Sequence, residues 1–255
     1  MTSFLENITP VILTFNEEKN ITRTLKALSW AKDIVVVDSF SSDDTMRLLK
    51  EFKQVRVFQR SFDKHAIQWN FALTETAINT DWVLALDADY ILQENISSEI
   101  EKLQPSKDIQ GYEASFLYCI EGHPLRGSLY PPVTVLFRRE KARYIQDGHT
   151  QRIKLEGKTK KLEHKIYHDD RKPLSHWLQA QDKYMRLEAD IIRQSAWTQL
   201  SWPDKIRKLR FISPFMVFIY CLFIKRTVFD GLYGWQYAYQ RCVAEMILMI
   251  HLLKK

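Results

Sequence analysis

The sequence predicts an α/β fold, a mostly parallel sheet flanked by helices, with a helical extension at its C-terminal end. Over roughly the first hundred of the 255 residues, short apolar runs alternate with segments of helical character. The apolar runs are VILTF, DIVVVD, VRVFQ and WVLAL. They lack alternating polar residues, which is typical of parallel strands buried on both faces. With 45% hydrophobic residues the chain can fill such a core.

The segments between these runs predict three helices. In NEEKNITRTLKALSW, Asn16 is placed as a cap, and Glu17 and Glu18 fall in the first turn, where the helix dipole favours acids. SSDDTMRLLKEF predicts a helix that starts near Ser42, and HAIQWNFALTETA predicts the third.

From Gly111 the pattern changes. YEASFLYCI, VTVLFRR and LEHKIYH predict strands joined by longer loops, and LSHWLQAQDKYMRLEADIIRQSA predicts a long helix after Pro173. We therefore divide the chain into a sheet domain over 1–172, with halves at 1–110 and 111–172, and a helical extension over 173–255.

The extension is basic and partly apolar. Residues 201–255 contain nine Lys or Arg against three Asp or Glu, which accounts for the whole net charge of +6. Fourteen uncharged residues from Phe211 to Ile224 are bracketed by basic ones. A spanning helix needs about 20, and Pro214 interrupts the run, so an interfacial or re-entrant segment on an anionic membrane surface is favoured. A helix buried against the sheet domain or a dimer partner is the alternative.

Several familiar protein classes are excluded. All seven glycines lie at or after Gly111, so no Gly-rich dinucleotide turn can follow the first strand. The apolar run inside the basic tail fits lipid better than nucleic acid. Three widely spaced cysteines indicate no disulfide framework, and no basic-then-apolar leader opens the sequence. We expect a cytoplasmic location, peripheral on the inner face of the cell membrane.

Polar side chains follow three of the predicted strands, at the edge where parallel sheets bind ligands. They are Thr14, Asn16 and Glu17 after the first strand, Asp38, Ser39, Ser41 and Asp43 after the second, and Asp87 and Asp89 after the fourth. In an extended chain, residues two apart point the same way, so Asp87 and Asp89 can converge on one cation. Oxygen ligands suit Mg²⁺ or Mn²⁺. A solvated turn after a buried strand is the alternative.

Three motifs carry a resemblance to a known family. VILTFNEEKNI, IVVVDSFSSDDT and DWVLALDAD resemble, in order and spacing, the family 2 glycosyltransferases, which have the GT-A fold. The resemblance covers roughly residues 8–170. It implies that 1–110 is the nucleotide-sugar-binding half and 111–172 the acceptor and base half. HDDRKPLSHWLQAQDKYMRLEAD and KRTVFDGLYGWQYAY look like the branch of lipopolysaccharide core glucosyltransferases of the WaaE/KdtX type.

The resemblance implies a role for each matching position on the donor side. Asp38 would hold the uracil or ribose of a UDP-sugar. Thr14, Asn16 and Glu17 would form the wall of the nucleotide pocket, and Ser39 would also bind the nucleotide-sugar. Asp87 would face the ribose or a metal ion, Asp89 would bind the metal, and His168 in YHDD would be a further metal ligand.

Three more polar residues belong to this expectation. Gln68 and Asn70 match a helix that flanks the sugar pocket, with exposed polar helix positions as the alternative. Arg126 lies in EGHPLRG, which is either a loop over the donor or acceptor, where Arg126 meets a phosphate, or a plain surface turn.

Inverting transfer needs a base that takes the acceptor's hydroxyl proton as its oxygen attacks the anomeric carbon. The resemblance places this base in YIQDGHTQRI, where Asp147 is the candidate. The family's usual Glu-Asp pair is Gln146-Asp147 here. His149 is the alternative base, because a histidine accepts a proton near neutral pH.

We therefore expect an inverting, metal-dependent family 2 glycosyltransferase, a hexosyltransferase that uses Mn²⁺ or Mg²⁺. Its expected partners are a nucleotide-sugar donor (a UDP-hexose), a saccharide or lipid-linked acceptor of the cell envelope, and an anionic membrane surface, with no nucleic acid. A homo-oligomer is an open alternative. The competing functions are a nucleotidyltransferase and a catalytically inactive, membrane-docked binding protein of the same fold.

Overall fold

The computed structural model describes residues 3–147 and 150–254. The chain forms two compact units. The first consists of Met1–Leu117 and Tyr130–Arg171, and the second of Tyr118–Leu129 and Lys172–Lys255. The domain boundaries predicted from the sequence stay predictions.

The strands are β1 (Ile8–Thr14), β2 (Ile34–Asp38), β3 (Val55–Gln59), β4 (Trp82–Asp87), β5 (Tyr90–Ile91), β6 (Ile109–Ile120), β7 (His123–Pro124), β8 (Val133–Arg138), β9 (Ala142–Asp147), β10 (Thr150–Leu155) and β11 (Lys158–His168). The helices are α1 (Ile21–Ala27), α2 (Thr45–Leu49), α3 (His65–Thr74), α4 (Glu94–Glu101), α5 (Leu174–Gln194), α6 (Trp202–Lys208), α7 (Ser213–Ile219) and α8 (Gly231–Leu253). Strands and helices largely alternate up to α4. The strands β6 to β11 then follow one another, and the helices α5 to α8 come last.

The main sheet has the strand order β3-β2-β1-β4-β8-β6-β11-β5 in the described residues. Strands β3, β2, β1 and β4 run parallel, and β8 pairs antiparallel to β4. Strands β9 and β10 form a separate antiparallel pair. The predicted fold class, a mostly parallel sheet flanked by helices with a helical C-terminal part, is confirmed.

Both faces of the parallel strands β1, β2 and β4 are buried, which explains why their sequences read as unbroken apolar runs. Ile12 and Val36 belong to one core, together with Ile21 of α1. Their neighbours Val11 and Val35 belong to the other, with α3. Successive side chains of a strand therefore enter two different cores. Because both cores need apolar side chains, polar residues do not alternate with apolar ones along these strands.

Two helix starts predicted from the sequence are wrong. Helix α1 begins at Ile21 with Asn20 at its cap position. Asn16 instead adopts a left-handed conformation with φ of 54°, and its carboxamide oxygen accepts a hydrogen bond from the Ser42 amide at 2.8 Å. Helix α2 begins at Thr45, because the preceding residues form the loop that follows β2.

The second unit is built on helices α5 to α8. An ion-pair cluster links three of them. The guanidinium of Arg207 in α6 contacts Glu245 of α8 at 2.7 Å and Glu188 of α5 at 3.4 Å. Burial lowers the pKa of Arg207, but Glu245 and Glu188 outweigh that effect and raise it, so the cation is retained. Among the residues the structure describes, no helix is both long and apolar enough to span a bilayer.

Candidate active site

The strand register brings the predicted polar residues to one edge of the sheet. Thr14 pairs with Asp38 across β1 and β2, and Leu13 pairs with Asp87 across β1 and β4. Because these strands are parallel, their carboxyl ends lie side by side. The loops after β1, β2 and β4 therefore start from a common edge, as the sequence predicts.

Asp38 is fully buried and its carboxylate is the centre of a hydrogen-bond network. Its Oδ1 accepts from the hydroxyl of Thr14 at 3.1 Å and from that of Ser41 at 2.5 Å. Its Oδ2 accepts from the Ser41 amide at 2.9 Å and from the Gln59 side chain at 3.3 Å. The carboxylate thus fixes the loop after β2 onto the ends of β1 and β3. The expected contact of Asp38 with a uracil or ribose stays a prediction.

The loops after β1 and β2 are bound to each other. The Asn16 amide donates to the Ser41 hydroxyl at 2.8 Å, and the Glu17 amide donates to the Thr45 hydroxyl at 2.7 Å. Together with the bond between Asn16 and Ser42, these contacts hold the predicted pocket wall as one unit. Two aromatic side chains, Phe15 and Phe40, are each about half exposed on these loops.

Asp87 is the last residue of β4, and Asp89 lies in the turn that follows, which is held from two sides. The Thr24 hydroxyl of α1 donates to the Ala88 carbonyl at 2.6 Å. The Asp169 amide donates to the Asp89 carbonyl at 3.0 Å. The backbone between the two acids is therefore fixed by a helix before the strand and by the segment after β11.

His168 lies against Asp89, although 79 residues separate them in the sequence. Its Nε2 is 3.0 Å from Asp89 Oδ2, and the pairing of β11 with β5 sets this contact. Burial lowers the pKa of His168, but the carboxylates of Asp89, Asp87 and Asp170 outweigh it and raise the pKa above its ordinary value. The structure therefore brings two of the three predicted metal ligands together.

Aromatic rings enclose His168. The ring of Tyr130 meets its imidazole edge-on at 4.4 Å between centroids, and that of Tyr90 does so at 5.3 Å. The hydroxyls of Tyr90 and Tyr130 are hydrogen-bonded to each other. Burial, chiefly, and the charge of Asp87 raise the pKa of Tyr90. No local sequence pattern marks these tyrosines, because their role depends on contacts between segments that are distant in the sequence.

A second polar cluster next to this turn was also missed. Asp169 is 3% exposed and pairs with the guanidinium groups of Arg23 at 2.5 Å and Arg171 at 2.8 Å. Asn20 joins it, because its side chain donates to Asp170 at 2.9 Å and accepts from the Arg171 amide at 2.9 Å. The run HDDRK was the available signal, since two acids followed by two bases after a strand are costly to bury unless paired.

The side chains of Gln68 and Asn70 are engaged with the protein itself. Gln68 is fully buried and donates to the Ser39 hydroxyl at 3.2 Å. Asn70 forms a two-point contact with the backbone of Tyr144 in β9, donating to its carbonyl and accepting from its amide, both at 2.9 Å. A contact of either residue with a sugar stays a prediction.

We expect Asn70→Ala to lower the free energy of unfolding by about 1–2 kcal/mol, since both bonds to the Tyr144 backbone are lost. Urea denaturation measures this. Thr74→Ala is the matched control, because Thr74 lies one turn further along α3 and its hydroxyl donates only to the Asn70 carbonyl and the neighbouring Glu75. Equal stability of the two variants would contradict a clamping role for Asn70.

The other predicted site residues are Asp147, His149 and Arg126. Asp147 is the last residue of β9, and its backbone pairs with Thr150. His149 lies outside the described residues. Arg126 belongs to the second unit, where its guanidinium is 3.2 Å from Asp230. The expected roles of these three residues stay predictions.

The donor set suits a divalent ion that is shared with a substrate. Within the described ranges, no group of three or more His, Cys, Asp or Glu is placed to hold a metal alone. Mg²⁺ commonly takes only one or two carboxylates and completes its shell with water and substrate phosphates. Asp89 and His168, in contact, with Asp87 two residues before Asp89, fit that mode of binding.

A sheet of this order, with acids at the carboxyl ends of its parallel strands, defines an α/β protein of the GT-A class. Residues 9–112 match the family model Glycosyl transferase family 2. The match agrees with the resemblance that the three motifs carry. The narrower WaaE/KdtX-type branch stays a prediction.

Two curated relatives that are named glycosyltransferases match less than half of the chain. An uncharacterized glycosyltransferase of Rickettsia typhi is 32% identical over 111 residues, which are 43% of this chain and 37% of the relative. One of Rickettsia conorii is 32% identical over 113 residues, 44% of this chain and 39% of the relative. The chain thus spans under two fifths of the length of these relatives.

One solved structure supports the fold. The crystal structure of glucosyl-3-phosphoglycerate synthase from Mycobacterium tuberculosis, in complex with phosphoglyceric acid, superimposes with a TM-score of 0.51 at 16% identity. The comparison covers 74% of this chain and 82% of that one. At this identity the likeness concerns the fold alone.

Proposed function

We propose that this chain is an inverting glycosyltransferase that moves a sugar from a nucleotide-sugar, a UDP-hexose, to a saccharide or lipid-linked acceptor of the cell envelope. One observation carries the proposal. At the carboxyl edge of the sheet, Asp87 ends β4 and Asp89 lies in the fixed turn that follows, inside the part of the chain that matches the family 2 model, and His168 contacts Asp89. The WaaE/KdtX-type resemblance of the later segments supports an envelope acceptor.

The chain's own residues have separate tasks in this reaction. The linked loops after β1 and β2 bind the nucleoside, with Asp38 fixing their conformation. Asp89, His168 and Asp87 would hold a divalent ion, Mn²⁺ or Mg²⁺, which as a Lewis acid would stabilise the departing diphosphate. Tyr90 and Tyr130 orient His168 and exclude water from one side of it.

The transfer itself is a single displacement. The acceptor hydroxyl gives its proton to the base, Asp147, while its oxygen bonds to the anomeric carbon of the sugar. The bond between that carbon and the diphosphate oxygen breaks at the same time, and the nucleoside diphosphate leaves with the bonding electron pair. No covalent intermediate with the enzyme forms, and no oxidant or reductant is needed.

A donor screen tests the proposal. The full chain is incubated with UDP-, GDP- and dTDP-sugars plus Mn²⁺ or Mg²⁺, and release of nucleoside diphosphate is measured. We expect release from UDP-hexoses that stops when the metal is chelated. A nucleotidyltransferase would instead release pyrophosphate from a nucleoside triphosphate, and an inactive binding protein would bind the donor without releasing anything. Either result would overturn the proposal.

The base is tested separately with Asp147→Asn. We expect this variant to bind the donor as the wild type does, but to transfer the sugar roughly 10²–10⁴ times more slowly, because an amide cannot take the acceptor's proton. Nucleotide binding by calorimetry and initial transfer rates give the two readouts. Transfer at the wild-type rate would remove Asp147 from this role, and His149→Gln would then be examined in the same way.

A further inference from the structure

In the segment 211–224 of the second unit, the exposure of the side chains is periodic, although nearly all of them are apolar. Pairs of exposed apolar side chains recur every four residues, at positions 211–212, 215–216, 219–220 and 223–224. Each of the eight is between 41% and 68% exposed. All eight are Phe, Ile, Met or Tyr. We call this surface the apolar face.

The pairs of residues between these exposed pairs are buried or half-buried, and they pack against other residues of the second unit. Positions 213–214 and 221–222 are buried, and 217–218 are half buried. Cys221 and Leu222 share a core cluster with Tyr237 and Ala238 of α8. The segment is therefore anchored along one side and solvent-exposed along the other.

A change of helix type keeps the apolar face on one side. An α-helix has about 3.6 residues per turn, so a repeat of four drifts around the axis by about 40° at each step. After α7 the chain continues as a π-helical turn over Tyr220–Ile224. A π-helix has hydrogen bonds between residues five apart instead of four. Each of its turns therefore contains more than four residues, and a repeat of four drifts around the axis in the opposite direction. The six exposed side chains from Phe215 to Ile224 thus stay on a common surface, and Phe211 and Ile212 directly precede the helix.

Basic residues bracket the apolar face at both ends. Arg210 precedes it, and Lys225 and Arg226 follow it. No Asp or Glu occurs between Lys205 and Phe229. Half-exposed phenylalanine and isoleucine side chains between cations match the two layers of a bilayer surface, where acyl chains lie beneath anionic headgroups.

We propose that the apolar face docks in the plane of a bilayer containing anionic phospholipid, with Arg210, Lys225 and Arg226 at its headgroups. Helix α7 and the π-helical turn contain seven and five residues, well short of the roughly 20 needed to cross a bilayer.

A second copy of the chain fits the apolar face less well than a bilayer does. A two-fold contact through this face would be self-complementary, and in an antiparallel arrangement it would bring like-charged ends together. This inference goes beyond the proposed chemistry and does not depend on it.

Vesicle co-sedimentation of the full chain tests the proposal. We expect binding to vesicles that contain phosphatidylglycerol, weaker binding to vesicles of phosphatidylcholine alone, and a loss of the difference at high salt, which screens exposed charges. Absence of binding to the anionic vesicles would overturn the proposal.

Two variants locate the contact, each with a matched control. Phe215→Asp/Ile219→Asp alters the apolar face, and Leu174→Asp/Leu178→Asp places the same charges at the same spacing on exposed positions of α5. Arg210→Glu/Arg226→Glu reverses the bracketing charge, and Lys160→Glu/Lys161→Glu does so on exposed positions of β11. We expect the first member of each pair to bind anionic vesicles about tenfold more weakly or worse, and the controls to bind like the wild type.

Circular dichroism confirms that each variant is folded, which the exposure of the replaced side chains favours. Variants of the apolar face that still bind like the wild type would overturn the proposal. A second result would also overturn it. If the wild type does not bind vesicles, and sedimentation velocity shows a lipid-free dimer that Phe215→Asp/Ile219→Asp dissociates, the apolar face binds a second copy of the chain instead of a bilayer.

Discussion

Asp89→Ala is expected to lower the rate of nucleotide release in the donor screen by a factor on the order of 10³ or more. Asp89 is the carboxylate that His168 contacts, at 3.0 Å, and its side chain is 16% exposed. Its loss would remove both a charged oxygen ligand and the partner that orients the imidazole. Groups that stabilise developing charge in a transition state each contribute effects of this size.

A second substitution separates the charge of Asp89 from its hydrogen bond. In Asp89→Asn the amide oxygen can still accept from His168 Nε2, but the negative charge is gone. We expect this variant to keep the thermal stability of the wild type and still to lose activity. Asp108→Ala is the control, since Asp108 is an exposed acid that pairs with Lys158. Wild-type rates in both Asp89 variants would contradict the assigned role.

The strands and acids of the first hundred residues could be predicted because their signals are local. Val35, Val36 and Val37 are all fully buried, and a short run of β-branched residues with no polar residue is typical of a strand covered on both faces. Asp38 and Asp87 each end such a run, so their place at the sheet edge follows from the parallel topology. No contact between distant segments was needed for these predictions.

The parts that were not predicted depend on contacts over long stretches of sequence. Arg23 and Asp169 are 146 residues apart in the chain, and Tyr90 and Tyr130 are 40 apart. Neither pair has a local pattern that marks it. The cap predicted at Asn16 failed for a related reason, because its carboxamide binds Ser42 in the neighbouring loop instead of the first turn of its own helix.

Asp38→Ala is expected to lower the free energy of unfolding by about 2–4 kcal/mol. The substitution removes the acceptor for four hydrogen bonds at a fully buried position and leaves donors of Thr14, Ser41 and Gln59 without it. Replacing one partner of a buried network costs more than a surface bond does, because the remaining groups are dehydrated and unsatisfied. Urea denaturation of the wild type and the variant measures the difference.

Asp44→Ala is the matched control, because Asp44 is an acid of the same loop whose side chain is 59% exposed and pairs with Arg47. An exposed pair of this kind contributes less than about 1 kcal/mol. If Asp38→Ala were no less stable than Asp44→Ala but had lost nucleotide affinity, Asp38 would act directly on the ligand. If instead stability and affinity fall together, Asp38 acts by fixing the loop, since both of its oxygens are already engaged by the protein. The free energy of unfolding thus separates a ligand contact from a structural one at the same carboxylate.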